Sequence, residues 1–222
     1  MLISIHIPKT AGTSFLHVLS TIYGDKLIQD YEERPISPEY QLKKFGLNPF
    51  QPFNFRLYGQ LLTKQCIHGH FQFAKYAALP TAKFITWLRD PVARTLSHYY
   101  YWQRNPDPLN ALCVHMHTNQ LSLLDFAKLK PMRNLQGYFL SHKPLNKFLF
   151  VGIMENFEES LQRFNAIFSH DLSPNLRLNA NPSDYDIESS ILEKIRDLNL
   201  EDMRLYDAAR SRHEREFSEL IR

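Results

Sequence analysis

The chain has 222 residues, 44% hydrophobic and 22% charged, with a formal net charge of +3, a balance that suits a globular domain with a sizeable core. It is too weakly basic to argue for nucleic acid and is compatible with an anionic substrate, and the two cysteines, Cys66 and Cys113, do not make a disulfide scaffold. No apolar run approaches the roughly 18 residues needed to span a bilayer, and no leader pattern precedes the first strand, so the expectation is a soluble cytoplasmic protein.

The stretch "LISIHI" reads as a buried strand, and "TSFLHVLSTIY" as a helix with Phe15, Leu19 and Ile22 along one face. From Tyr31 to Arg56 the signals are punctuation: Pro35, Pro38, Pro49, Pro52 and Gly46, with a short helix expected at "PEYQLKKF". Excursions of that length are more often functional than decorative. "QCIHGH" is a short strand running into a turn, "FQFAKYAAL" a short helix and "AKFITWL" a strand. "DPVARTLSHYYYWQR" is a helix with Asp90 as N-cap and Pro91 at its first position. "LSLLDFAKL" and "MRNLQGYFL" read as helices, "KFLFVGI" as a strand and "NFEESLQRFNAIF" as a helix. "IESSILEKIRDLN" and "LEDMRLYDAARSRHEREF" close the chain as helices. Strands separated by helices predict a parallel sheet covered on both faces, and without a repeat or low-complexity linker residues 1–222 read as one domain.

Three constellations carry chemistry. In "HIPKTAGTSF" a strand end feeds a helix N-terminus, which presents unpaired backbone N–H groups and the positive end of the helix dipole. Gly12 permits close backbone approach, Thr13 and Ser14 add hydroxyls, and Lys9 adds a mobile cation, parts that suit a phosphate or sulfate. Simple helix capping explains the same turn. The lysine comes early, directly after the strand, so this is not a Walker A loop, whose lysine sits just before the helix.

In "TWLRDPVARTLSHYY" Arg89 lies at the carboxyl end of a strand, where ligands of open α/β sheets collect. Ser97 follows about two helical turns later, with Arg94 on nearly the same face. An arginine fork and a serine hydroxyl suit a terminal phosphate; the bland alternative pairs Arg89 with Asp90 or another carboxylate and leaves Ser97 as a surface residue. In "IHGHF", His68 and His70 leave an extended strand on the same side. They read as metal ligands, a catalytic base, or ordinary polar residues. Zinc would require further ligands, for which His115 and His117 are the sequence's nearest supply. A histidine near its ordinary pKa of about 6.5 is a natural general base, with activity rising through the neutral-to-mildly-acidic range.

Together, "HIPKTAGTSF", "HGHFQFAKY" and "LRDPVARTLSHYYYWQR" resemble the 5′-phosphosulfate loop, catalytic histidine segment and 3′-phosphate segment of the carbohydrate sulfotransferases. The likeness is to the family-2 type that includes the heparan and dermatan sulfate 2-O-sulfotransferases. "FVGIMENFEESLQRF" and "LNLEDMRLYDAA" resemble later landmarks of that family. The resemblance implies a P-loop-like three-layer α/β/α fold and 3′-phosphoadenosine 5′-phosphosulfate (PAPS) as donor. It implies that Lys9 neutralises charge at the oxygen bridging phosphate and sulfate, and that Thr10, Ala11, Gly12, Thr13 and Ser14 cradle the 5′-phosphate. Arg89 and Ser97 would hold the 3′-phosphate, with His70 as base and His68 as its companion. No metal is required, since Lys9 and the N–H groups fill the electrostatic role.

Family members often carry a Thr-Arg pair after the glutamine of "NLQGYFL"; Gly137 and Tyr138 stand there in this chain, a departure on the acceptor side. The compact form resembles a bacterial member, with a glycan, a lipid-linked sugar or a small hydroxylated metabolite as acceptor. "RLNANPS", around Arg177 and Asn179, suits a loop on the cofactor side. The competing functions are a nucleotide-dependent phosphotransferase on a related fold and a non-catalytic nucleotide-binding module.

Overall fold

The computed structural model describes residues 1–31, 64–79, 81–171 and 186–222. Most of the proline-rich excursion, its expected helix and the loop around Arg177 and Asn179 lie outside the described residues. Along the chain come β1 (Leu2–Ile5), α1 (Gly12–Tyr23), β2 (Leu27–Asp30), β3 (Cys66–Gly69), α2 (Phe73–Tyr76), β4 (Lys83–Leu88) and α3 (Pro91–Arg104). Then follow α4 (Ala111–Thr118), α5 (Leu123–Lys128), α6 (Leu135–Phe139), β5 (Phe148–Ile153), α7 (Phe157–Phe168), α8 (Ser189–Asp197) and α9 (Leu200–Leu220).

The described strands form one five-stranded sheet in the order β2-β3-β1-β4-β5, with every pairing parallel. Two elements differ from the sequence expectation. β2, "LIQD", is a four-residue strand whose first three residues are incompletely buried, so it lacks the apolar run that marks the others. α4, "ALCVHMHT", buries only Cys113 and Met116, which left its helical period hard to see.

Period-2 alternation divides the strand residues between two cores. Leu2, Cys66, Ile85, Trp87 and Phe150 meet Phe15, Val18 and Leu19 of α1 and Phe157, Leu161 and Phe164 of α7. On the opposite face Ile3, Ile5, Ile67, Phe84, Phe148 and Val151 meet Phe73, Leu135 and Phe139, together with Tyr206 and Ala209 of α9. The result is the expected helix–sheet–helix layering with a central parallel sheet. A third apolar cluster joins α3, α4, α5 and α8 through Tyr99, Trp102, Cys113, Met116, Phe126 and Ile195. Gly152 sits where a Cβ would fall 2.5 Å from the Trp87 ring, so only glycine leaves room for the indole there.

The register matters for function. Ile5 of β1 stands beside Gly69 of β3 and Thr86 of β4, so three adjacent strands end close to one level. The chain builds the sheet to one side of β1 and then to the other, making a topological switch point beside the central strand, where open α/β sheets bind ligands. No described helix is long and apolar enough to cross a membrane.

Candidate functional site

The loop from Pro8 to Ala11 is shaped by backbone rather than by side-chain caps. Lys9 and Ala11 both adopt left-handed conformations, with φ of 72° and 67°. Each costs a non-glycine residue about 1 kcal/mol or more, and alternation of this kind turns successive N–H groups into a concave anion nest. Ala11 is the N-cap of α1 and supplies no side-chain hydrogen bond, whereas Asp90 caps α3 by accepting from Ala93 N at 2.8 Å. Gly12 is demanded by a close approach: a Cβ there would fall 1.6 Å from His6 Nε2.

The hydroxyls expected to line this loop part company. Thr10 is buried and its hydroxyl donates to the Ile7 carbonyl at 2.9 Å, which braces the turn. Thr13 is exposed and Ser14 buried.

Lys9, in the loop after β1, and Arg89, just past β4, meet. Arg89 Nη1 donates to the Lys9 carbonyl at 3.3 Å, and Lys9 Nζ lies 3.6 Å from the centroid of the Tyr101 ring on α3. Burial lowers the Lys9 ammonium to about 8, helped by the like charges of Arg89 and Arg104. Arg89 also approaches a carboxylate, with Nε 4.0 Å from Glu155 Oε1. Ser97 is 6% exposed, and its Oγ has no hydrogen-bond partner among the described residues. Buried hydroxyls are nearly always paired, so this one has hydrogen-bonding capacity to offer a ligand or a water. Arg94 does not join the site: it is fully buried and donates to the Met132 carbonyl and the Thr95 hydroxyl.

The histidine pair is a trio. Parallel pairing of β1 with β3 brings the His6 ring to 5.1 Å from His68 and 4.3 Å from His70, with Tyr31 completing the cluster 4.8 Å from His70. The Tyr31 hydroxyl hydrogen-bonds His6 Nδ1 at 3.0 Å, and Ser4 Oγ hydrogen-bonds His68 Nδ1 at 2.8 Å. His68 is fully enclosed, while His70 stands just past the strand end and is half-buried. Nε2 of both His68 and His70 is buried without a partner among the described residues.

Burial holds His70 down to about 4 and His68, with the His70 ring beside it, down to about 3; His6 is also well below its ordinary value. This corrects the expectation of a base titrating near neutrality: desolvation of the imidazolium decides it. No group of three or more His, Cys, Asp or Glu side chains among the described residues converges in a way that could hold a metal ion. His115 and His117 lie on α4, where His117 Nε2 hydrogen-bonds the Trp102 carbonyl at 2.9 Å.

The depressed histidines make stability fall on the acid side. An unfolded His68 takes up a proton below pH 6.5, while the folded one resists until about pH 3. Stability is therefore intact above pH 6.5 and declines as pH drops through that window, by about 2 kcal/mol at pH 5 from this residue alone. Urea unfolding of wild type and His68→Phe at pH 7 and pH 5 checks this. The difference between the two proteins should shift in the variant's favour by that amount, and equal pH slopes refute it.

Neither His6, Tyr31, Tyr101, Glu155 nor Gln136 emerged from the sequence as a site residue. His6 had a signal, since it stands two residues before Pro8 in the quoted loop motif; the others are assembled only by the fold.

The fold is a three-layer α/β/α one around a parallel five-stranded sheet, similar to that of solved sulfotransferases. Among solved structures, the chain is similar to the mouse sulfotransferase SULT7A1 complexed with PAP (TM-score 0.50, 13% identity, covering 98% of this chain and 88% of that one). It also matches a sulfotransferase from Alicyclobacillus acidocaldarius (TM-score 0.49, 16% identity, covering 93% and 94%). No family model and no curated protein sequence matches it. At such identity the likeness establishes fold.

Proposed function

We propose that this protein is a PAPS-dependent O-sulfotransferase that acts on a hydroxyl of a carbohydrate acceptor, as the family-2 motifs suggest. The observation that carries the reading is the meeting of Lys9 and Arg89, both partly buried, beside a helix N-terminus with no side-chain cap. Like charges brought together under partial burial are stabilised by an anion among them. The mouse sulfotransferase structure complexed with PAP has a similar fold, which supports a donor of that type.

In this reading the N–H groups of residues 10–14 hold the 5′-phosphate, and Arg89 with the orphan Ser97 hydroxyl takes the 3′-phosphate. Transfer is in line: the acceptor oxygen bonds to sulfur as the bond from sulfur to the bridging oxygen breaks. The leaving electron pair stays on that oxygen, where Lys9 offsets the growing charge. The hydroxyl proton goes to the His70 imidazole, which its low pKa keeps neutral and ready. His68, tied to Ser4, buttresses the trio from beneath. Positioning and charge stabilisation supply most of the rate, as in phosphoryl transfer.

Calorimetry tests the donor side. 3′-Phosphoadenosine 5′-phosphate (PAP) should bind far more tightly than AMP, and Arg89→Ala should cost about 2–4 kcal/mol of PAP binding, the range for truncating one partner of a bound charge pair. Equal affinity for PAP and AMP sinks the assignment and favours a phosphotransferase or a general nucleotide module.

A further inference from the structure

We propose that Gln136, braced by Asp202, is a positioning residue that aims Arg89 and so sets the preference for a 3′-phosphate; this rests on the reading of Arg89 given above. β4 ends at Leu88, whose carbonyl still accepts from Met154 N at 2.9 Å. Arg89 lies one residue beyond the strand, where its own peptide groups need other partners. A single side chain meets both: Gln136 Oε1 accepts from Arg89 N at 3.0 Å, and Gln136 Nε2 donates to the Arg89 carbonyl at 2.9 Å. The carboxamide stands in for the peptide of a neighbouring strand and extends the ladder by one residue. Gln136 has no exposed surface, so water does not compete for these bonds.

Gln136 is itself pinned. Its backbone N–H and that of Gly137 donate to the two carboxylate oxygens of Asp202, at 2.9 and 2.7 Å. Asp202 is fully buried near the start of α9. That start is held in return by Asn134, whose Oδ1 accepts from Glu201 N and Asp202 N, while Asn199 Oδ1 accepts from Asn134 N. Segment 134–137 and the first turn of α9 thus cap each other. The next residue along the chain is fixed as well, since Asp90 N donates to Glu155 Oε1 at 3.0 Å and Glu155 Oε2 accepts from the Tyr206 hydroxyl at 2.7 Å.

A planar guanidinium reads a phosphate by direction, so a small rotation at its Cα spoils the fork. Gln136 and Asp202, 66 residues apart, are what the fold supplies against that rotation.

The test measures PAP and AMP affinity by calorimetry in wild type, Gln136→Met, Arg89→Ala and the double variant, with amide hydrogen exchange at Arg89 followed by NMR. Gln136→Met keeps the volume and removes both hydrogen bonds. PAP affinity should fall about 10- to 100-fold, the scale of a misaimed group, with AMP affinity nearly unchanged and Arg89 amide exchange accelerated. In the Arg89→Ala background the same change should cost nothing further. Parallel loss of PAP and AMP, added loss in that background, or unchanged exchange at Arg89 overturns the proposal. Should Gln136→Met fail to fold, Gln136→Glu keeps the oxygen that accepts from Arg89 N and loses the donor. It should show the same selective loss of PAP, and an undiminished preference overturns the proposal. A wild type that binds PAP and AMP alike overturns the reading of Arg89 and the proposal with it. A wild type that discriminates, beside a Gln136→Met variant that discriminates equally, overturns only the role of Gln136.

Discussion

Lys9→Ala is expected to lower turnover by about a hundredfold or more, the value of one electrostatic donor aimed at developing charge, while PAP affinity falls much less. The reason is positional: Lys9 lies in the loop between the central strand and the N-terminus of α1, and its Nζ rests on the Tyr101 ring. PAP lacks the sulfuryl group, so it lacks the bond whose breaking the ammonium would assist. The low pKa adds a second readout. With the free-protein ammonium near 8, kcat/KM should fall as pH rises through 8, because deprotonation removes the charge. A bound anion favours the protonated form, so the corresponding limb in kcat should lie at higher pH. A variant that turns over at near wild-type rate reduces the loop to a scaffold.

His70→Ala should remove about a hundred- to ten-thousandfold of the sulfuryl transfer, the usual worth of a general base, with PAP affinity little changed and the fold intact. Its pH profile is distinctive because burial, not the ordinary imidazole value, sets the titration. A base near pKa 4 is about 90% neutral at pH 5, whereas one at 6.5 would be about 3% neutral. Wild-type kcat/KM should therefore hold nearly level from pH 7 to pH 5. A tenfold drop across that interval assigns the proton transfer to a group with an ordinary pKa. Should His70→Ala stay active while His68→Ala is dead, the enclosed member of the pair is the base. If both stay active and a chelator inactivates the wild type, a metal takes the role assigned to the histidine.

Much of this site is local in sequence, and that is why it was legible. The early lysine in "IPKTAGTSF", the Asp90-Pro91 helix start and the position of Arg89 after an apolar run each rest on a few consecutive residues. Backbone chemistry over such distances is dictated by propensity and capping. The expectation that His68 and His70 share a side came from the period of a strand; in the fold both rings meet His6. The resemblance to sulfotransferase motifs ran through the same segments.

What stayed hidden has physical causes. β2 is short and only partly buried, so it carries no apolar period, and the burial of Thr10's hydroxyl depends on how the turn closes. Arg94 looked like a partner for Ser97 because helical spacing gives a face but does not say what covers it; packing against α5 and the segment at Met132 turned it into a structural donor.

The sequence by itself determined the alternating α/β layout, the anion-suited loop at residues 8–14 and the identity of the candidate base, cation and fork, because each is written in near-neighbour chemistry. Only the tertiary structure decided the third histidine, the depression of all three imidazoles and the bracing of Arg89. His6 meets His70 because β1 and β3 pair in parallel, and their pKa values fall because the fold takes them out of water. Gln136 reaches Arg89, and Asp202 holds Gln136, because α6 and α9 cap one another beyond the carboxyl end of β4. Such contacts join residues tens of positions apart, and desolvation is a property of the packed interior that no local pattern encodes.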